Sequence, residues 1–246
     1  MEQLSPKQRE IRDRESLILQ VARGMIEQSG STQLNMDKIA SETGVSKGTI
    51  YQHFLHRDDI LVALAGQSMA VRYELFSRAA AFKGKPRERV EALGQAAGLF
   101  FQLHPMQFKL EMLLQINSVR QRASDQWRNL LHSSEIRCMT MVAGIVRDGI
   151  ASGDLELETA QPEDVSFGLW SMSIGAQSII ASGTQLMELG VSAPNVAMYH
   201  NYRALLDGYN WKPLSCEWDF EQVQQRIAEE VFAQEWKEVG QRAQTR

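Results

Sequence analysis

The stretch NMDKIASETGVSKGTIYQHF, residues 35–54, decides the fold. Two short helices that cross at a tight turn need a small residue where they touch, and Ala40 supplies one. The turn needs a residue that tolerates positive φ, which Gly44 does without steric penalty. An apolar side chain of the second helix must plug the joint; Ile50 fits, with Val45 and Phe54 extending the same core. Asn35 and Ser46 stand where each helix needs an N-cap. The spacing is that of a helix-turn-helix, and on spacing alone an ordinary helical hairpin with a glycine turn stays open.

Upstream, Ser5, Pro6 and Gln8 form a capping-box start for a helix that carries Leu17, Ile18, Val21, Ala22, Met25 and Ile26 at helical spacing and stops at Gly30. Downstream, Asp58 and Asp59 open a helix, because acids suit the positive end of its dipole. That helix is expected to run to Phe82, before Gly84 and Pro86. Further helices are predicted over Arg87–Leu103, Met106–Val119, Ser124–Gly153, Pro162–Ala181, Pro194–Tyr209 and, as one tail helix, Trp218–Val239. The expected fold is all-α: a three-helix N-terminal domain (1–57) with the helix-turn-helix, then a larger helical domain (58–246) with an extra C-terminal helix.

The run VSKGTIYQHF, Val45–Phe54, resembles the signature of tetracycline-repressor (TetR) family regulators. Ile18, Leu19, Ala22 and Gly30 are similar to the family's first helix, Ile39, Ala40 and Gly44 to its second, and Asp58, Asp59 and Leu61 to the start of its fourth. The resemblance covers about Arg14–Leu61; beyond it only the number and order of helices are similar. Leu55 stands where the family often has lysine. The resemblance implies a DNA-binding transcriptional regulator that is a repressor released by a small ligand; a helix-turn-helix regulator whose second domain binds a protein partner, and a helical protein with no DNA role, are the alternatives.

With Ile50 and Phe54 facing inward, the other face of their helix carries Lys47, Gly48, Tyr51 and Gln52, flanked by Thr49 and His53. Such a helix is presented to the DNA major groove. The resemblance makes Lys47, Thr49, Tyr51 and His53 contacts, mostly to phosphates, and Arg57 a second basic contact. Gly48 lets the backbone come close. Gln52 is the candidate for reading a base edge, since its amide can pair with adenine. Arg9, Arg12 and Arg14 line either a backbone-tracking arm or a solvated helix face.

Net charge is −4, and residues 1–60 hold eight Lys/Arg against nine Asp/Glu, so DNA contact must come from a few placed cations rather than a basic field. Cys138 and Cys216 lie far apart without metal-ligand spacing, and the charged N-terminus has no apolar segment of an export signal; both point to reduced thiols and a cytoplasmic protein. No G-x-S-x-G, H-E-x-x-H, phosphate-cradling glycine loop or C-x-x-C is present, and the five histidines are scattered. Neither an enzyme, a cofactor nor a metal site is expected.

Val165–Gly183, VSFGLWSMSIGAQSIIASG, carries no charge in nineteen positions. Its serines, glycines and glutamine dilute it too far for a membrane span, and a helix apolar or small all round must be covered on more than one side. It is either a buried central helix or one packed on its own core and on a second copy. The family's dimer interface, built from its last two main helices, favours the homodimer, with Gly168, Gly175 and Ala176 allowing close approach. The resemblance also places a small-molecule pocket among the middle helices. Phe100, His104, Phe108, Trp127, Met141 and Trp170 are its candidates, although an aromatic and methionine stripe is also what plain core looks like. The expected partners are inverted-repeat duplex DNA, a second copy and an apolar ligand.

Overall fold

The computed structural model describes residues 5–116 and 118–244. Among them the chain is all-helical. The order is α1 (Pro6–Ser29), α2 (Met36–Thr43), α3 (Lys47–His53), α4 (Arg57–Ala80), α5 (Pro86–Leu103), α6 (Pro105–Ile116), α7 (Val119–Arg122), α8 (Asp125–Ala151), α9 (Pro162–Ala181), α10 (Pro194–Gly208), α11 (Phe220–Glu230) and α12 (Ala233–Gln244). The capping box at α1 forms in full: the Gln8 N–H donates to Ser5 Oγ at 3.3 Å, and the Ser5 N–H donates to Gln8 Oε1 at 2.9 Å.

Two expected helices are each divided. The predicted helix over Met106–Val119 ends at Ile116, and Val119, buried, opens the separate short α7. The predicted tail helix becomes α11 and α12, with a break at Val231–Phe232. Val223 and Ile227 lie four apart and bury one face of α11. A straight continuation would turn Phe232 about 140° away from Ile227 and about 180° from Val223, at about 100° per residue. The break lets Phe232 become fully buried too.

The chain folds as two compact units, one comprising residues up to Ala70 with Met106–Ser134, the other Val71–Pro105 with Glu135 onward. In the first unit Ile18, Ala22, Ile39, Ile50, Phe54 and Ile60 form a fully buried core, joined by Leu110, Leu114, Trp127 and Leu131. Packing therefore does not stop at residue 57: the apolar face of the three-helix start is covered by α4, α6 and the first turns of α8.

In the second unit α5 is buried along most of its length, from Arg87 to Leu103. Trp211 is fully buried, and its ring lies against α8 where a Cβ at Gly149 would come within 2.8 Å of it, so only glycine fits there. In α9, Val165, Ser166, Ser173 and Gln177 are buried, and Gln177 reaches Asn195 of α10. Phe167 and Trp170 form an edge-on pair 6.0 Å apart and are 59% and 40% exposed; Ile179 and, on α10, Val196 are exposed as well. The charge-free stretch thus covers one face and leaves an apolar face open in the single chain.

Candidate nucleic-acid interface

The turn between α2 and α3 is built from local hydrogen bonds. Asn35 Oδ1 accepts from the N–H groups of Asp37 and Lys38 and starts α2. Gly44 ends it in the left-handed region at φ +68°, where a β-carbon would be strained. The Ser46 hydroxyl accepts from the Thr49 N–H at 3.1 Å and starts α3. Seven residues are too few for a helix to hold by itself. Packing holds it: Ile50 is fully buried, and Phe54 stacks on Trp127 with ring centroids 5.0 Å apart. The next helix is fastened to the same unit by two acids. Asp59 Oδ2 accepts from the His56 N–H and its Oδ1 from the Ser124 N–H, while Asp58 accepts from Arg122 Nε at 2.6 Å.

With its inner face so anchored, α3 exposes Lys47, Gly48, Tyr51 and Gln52 together. The flanking residues stand differently. Thr49 is half-buried, and its hydroxyl lies 2.8 Å from that of Ser46. His53 turns inward: its side chain is only 8% exposed, and Nδ1 is 3.2 Å from Glu15 Oε1 on α1. Lys47 is exposed, but Nζ sits 2.5 Å from Asp37 Oδ1, and the hydrogen bond and charge of Asp37 hold the ammonium above its ordinary pKa. Arg57 is half-buried, with Nη1 3.4 Å from the Thr32 carbonyl and Nη2 3.7 Å from Asp58 Oδ1. Leu55 is exposed. Asp37 and Glu15 are absent from any reading of α3 alone, because their contacts cross between helices.

The ligand candidates divide between the units. Phe108 and Trp127 are buried in the first, Trp127 as the stacking partner of Phe54. Phe100 and His104 are neighbours in the second: their rings lie 5.6 Å apart, and the Arg72 guanidinium covers Phe100 at 4.3 Å. Burial and the nearby Arg242 lower the pKa of His104. Met141 is half-buried in the second unit, and Trp170 stands on the open face of α9 rather than inside. Among the described residues no three His, Cys, Asp or Glu side chains gather as a metal site would need, and no helix is long and apolar enough to cross a membrane.

Residues 18–64 match the model of bacterial regulatory proteins of the tetR family, and this span includes every residue of the turn and of α3. The N-terminal part of the chain is thus similar to that of TetR-family transcriptional regulators. It is 26% identical over 184 residues to the fatty acid metabolism regulator protein of Bacillus subtilis (strain 168), an alignment covering 71% of this chain and 92% of that relative. A TetR/AcrR-family regulator from Thermobifida fusca shares the fold with a TM-score of 0.54 at 21% identity, over 80% of this chain and 98% of its own. A regulator from Saccharomonospora viridis, solved in complex with choline, shares it with a TM-score of 0.60 at 17% identity, over 79% and 96%. The TetR-family match falls on the first unit, which contains α3.

Proposed function

We propose that this protein is a TetR-family regulator, a cytoplasmic, non-enzymatic homodimeric repressor that binds an inverted-repeat operator and is released from it by a small, mostly apolar ligand. The observation that carries the DNA reading is α3 itself. Its buried face is fixed by Ile50, and its outer face offers Lys47, Gly48, Tyr51 and Gln52 side by side. Residues 1–57 are the reading domain and 58–246 the sensing and dimerising one. The Phe167–Trp170 face of α9, exposed in the single chain, supports a second copy as its cover. Two reading heads related by a two-fold axis need half-sites about one helical turn apart, or a multiple of it. Thr49, His53 and Arg57 join the contacts once DNA is bound, His53 after leaving Glu15.

Binding-site selection with the purified protein tests this. The expected product is a palindrome bound by two chains per duplex. Lys47→Ala should weaken binding to every sequence and reduce the slope of log affinity against log salt by about 1, as for one lost phosphate contact. Gln52→Ala should instead relax preference at one base pair, by about 1–3 kcal/mol. Selection without palindromic enrichment, or one chain per duplex, removes the reading.

The ligand site is proposed at Phe100, His104 and Met141, with Phe108, Trp127 and Trp170 as the remaining candidates. The aromatic lining suits an apolar molecule, and the name of the Bacillus subtilis relative favours one with an acyl chain. The proposed mechanical link is α4, the helix from Arg57 to Ala80 whose start follows α3 in the chain. A ligand acts only if it prefers the state that cannot bind DNA, and operator DNA must then weaken ligand binding by the same factor. A thermal-shift screen of acyl and aromatic compounds, followed by release of labelled operator, checks it. Compounds that stabilise the protein and leave DNA affinity unchanged refute ligand control.

A further inference from the structure

The second unit holds a chain of polar side chains from the interior of α5 out to α12. Glu91 is buried on α5. Gln224 of α11 donates from Nε2 to Glu91 Oε2 at 3.2 Å, and Glu91 Oε1 has no hydrogen-bond partner. The Gln224 carbonyl accepts from Gln95 Nε2 at 2.7 Å, one turn further along α5. Gln95 Oε1 in turn accepts from Trp236 Nε1 of α12 at 3.1 Å. No residue of α12 is buried; polar tethers hold it, including Arg242 Nη1 to the Leu103 carbonyl at 2.8 Å and an ion pair between Arg78 and Glu235.

We infer that α11 and α12 form a proton-controlled latch on α5, with Glu91 as the group that opens and closes it. The groups facing Glu91 are Arg87 on its own helix, Arg203, Asp207, Tyr199 and Tyr202 on α10, and Gln224 on α11; Glu221 of α11 acts on Arg203. Burial pushes the Glu91 carboxyl up to about 7, against the opposing pull of Arg203 and Arg87. The closed state therefore prefers the proton. An ionised Glu91 under α11 is a buried charge with one oxygen unbonded, and water reaches it only when α11 lifts. With Glu91 at its ordinary pKa once exposed, the closed-to-open ratio falls as pH rises from about 4.5 through about 7 and is level above. Lifting α11 takes away the Gln224 contact of Gln95, and so unseats Trp236 and the Arg242 tether at Leu103. That tether lies beside His104 and one turn from Phe100, so the latch controls the end of α5 that carries the proposed ligand residues.

Hydrogen–deuterium exchange of the full-length protein at pH 5.5 and pH 8, corrected for intrinsic rates, tests the latch without any ligand or DNA. In the wild type the amides of α11 and α12 should lose more than tenfold protection at the higher pH. Glu91→Gln should keep the same protection at both. Gln224→Ala, which removes the side-chain bonds of Gln224 to both Glu91 and Gln95, should loosen α12 at both. Equal wild-type protection at the two pH values overturns the latch, whatever the variants do. A pH response that persists in folded Glu91→Gln overturns the role of Glu91. Failure to bind an operator would remove the proposed function and leave the latch standing.

Discussion

Phe54→Ala is expected to destabilise the first unit by about 3–5 kcal/mol and to abolish DNA binding together with it. Phe54 closes α3: its N–H donates to the Ile50 carbonyl at 2.9 Å, and its fully buried ring stacks on Trp127. Truncation removes that ring from under α3 and leaves a cavity against Trp127. Because α3 has only seven residues, it has little cohesion of its own once unseated. Phe54→Leu retains part of the volume and should do measurably less harm. Urea unfolding and operator titration check both variants. A loss below about 1 kcal/mol for Phe54→Ala would show that α3 is held by something other than this stack.

Arg87→Ala should be the most damaging single change in the second unit, at about 3–5 kcal/mol, the usual range for breaking a buried ion pair from one side. The guanidinium is fully buried and serves three acceptors: the Trp211 carbonyl, Asp207 Oδ1 at 2.6 Å and Ser215 Oγ at 3.1 Å. Asp207 keeps some access to water, which puts the expected value at the lower end of that range. Arg87→Lys should rescue little, since an ammonium cannot present the same planar fork to all three. The pH dependence has a definite sign. Burial raises the pKa of Asp207, but hydrogen bonds from Arg87 and Ser215 outweigh it and hold the carboxyl below its ordinary value. The pair's stabilisation is therefore complete above the ordinary carboxylate range and fades as pH falls below about 3.9. Chemical denaturation from pH 3 to pH 7 should show the gap between wild type and Arg87→Ala narrowing at the acid end. A gap that stays constant there would mean that Arg87 is held mainly by neutral acceptors.

What was legible in the sequence was whatever is decided within a few residues. The Ser5–Gln8 capping box, the Asn35 and Ser46 caps and the left-handed Gly44 are local matters, and the structure realises each. The inward set of Ile50 and Phe54 follows from helical period alone. Less legible was anything set by a partner distant in sequence. Trp127 gave no sign of its stack on Phe54, because nothing near it in sequence reveals that partner. His53, placed at the flank of the outer face by helical spacing, is turned inward by Glu15, 38 positions away. The tail helix read as continuous because the pull on Phe232 comes from the core rather than from a proline or glycine. Trp170 carried no sign of whether its face met the interior or the surface.

The pairs Lys47–Asp37 and His53–Glu15 bear on how such a protein moves through a genome. Affinity for arbitrary DNA comes from unpaired cations that displace counterions from phosphates. Here one cationic side chain of α3 is already engaged by an acid of its own chain, its lone histidine is turned toward another, and the surrounding sixty residues carry no excess of positive charge. If α3 reads DNA as proposed, encounters with random sequence are expected to be brief. On that reading the time spent idle on the chromosome should be short, and few copies should keep one operator occupied.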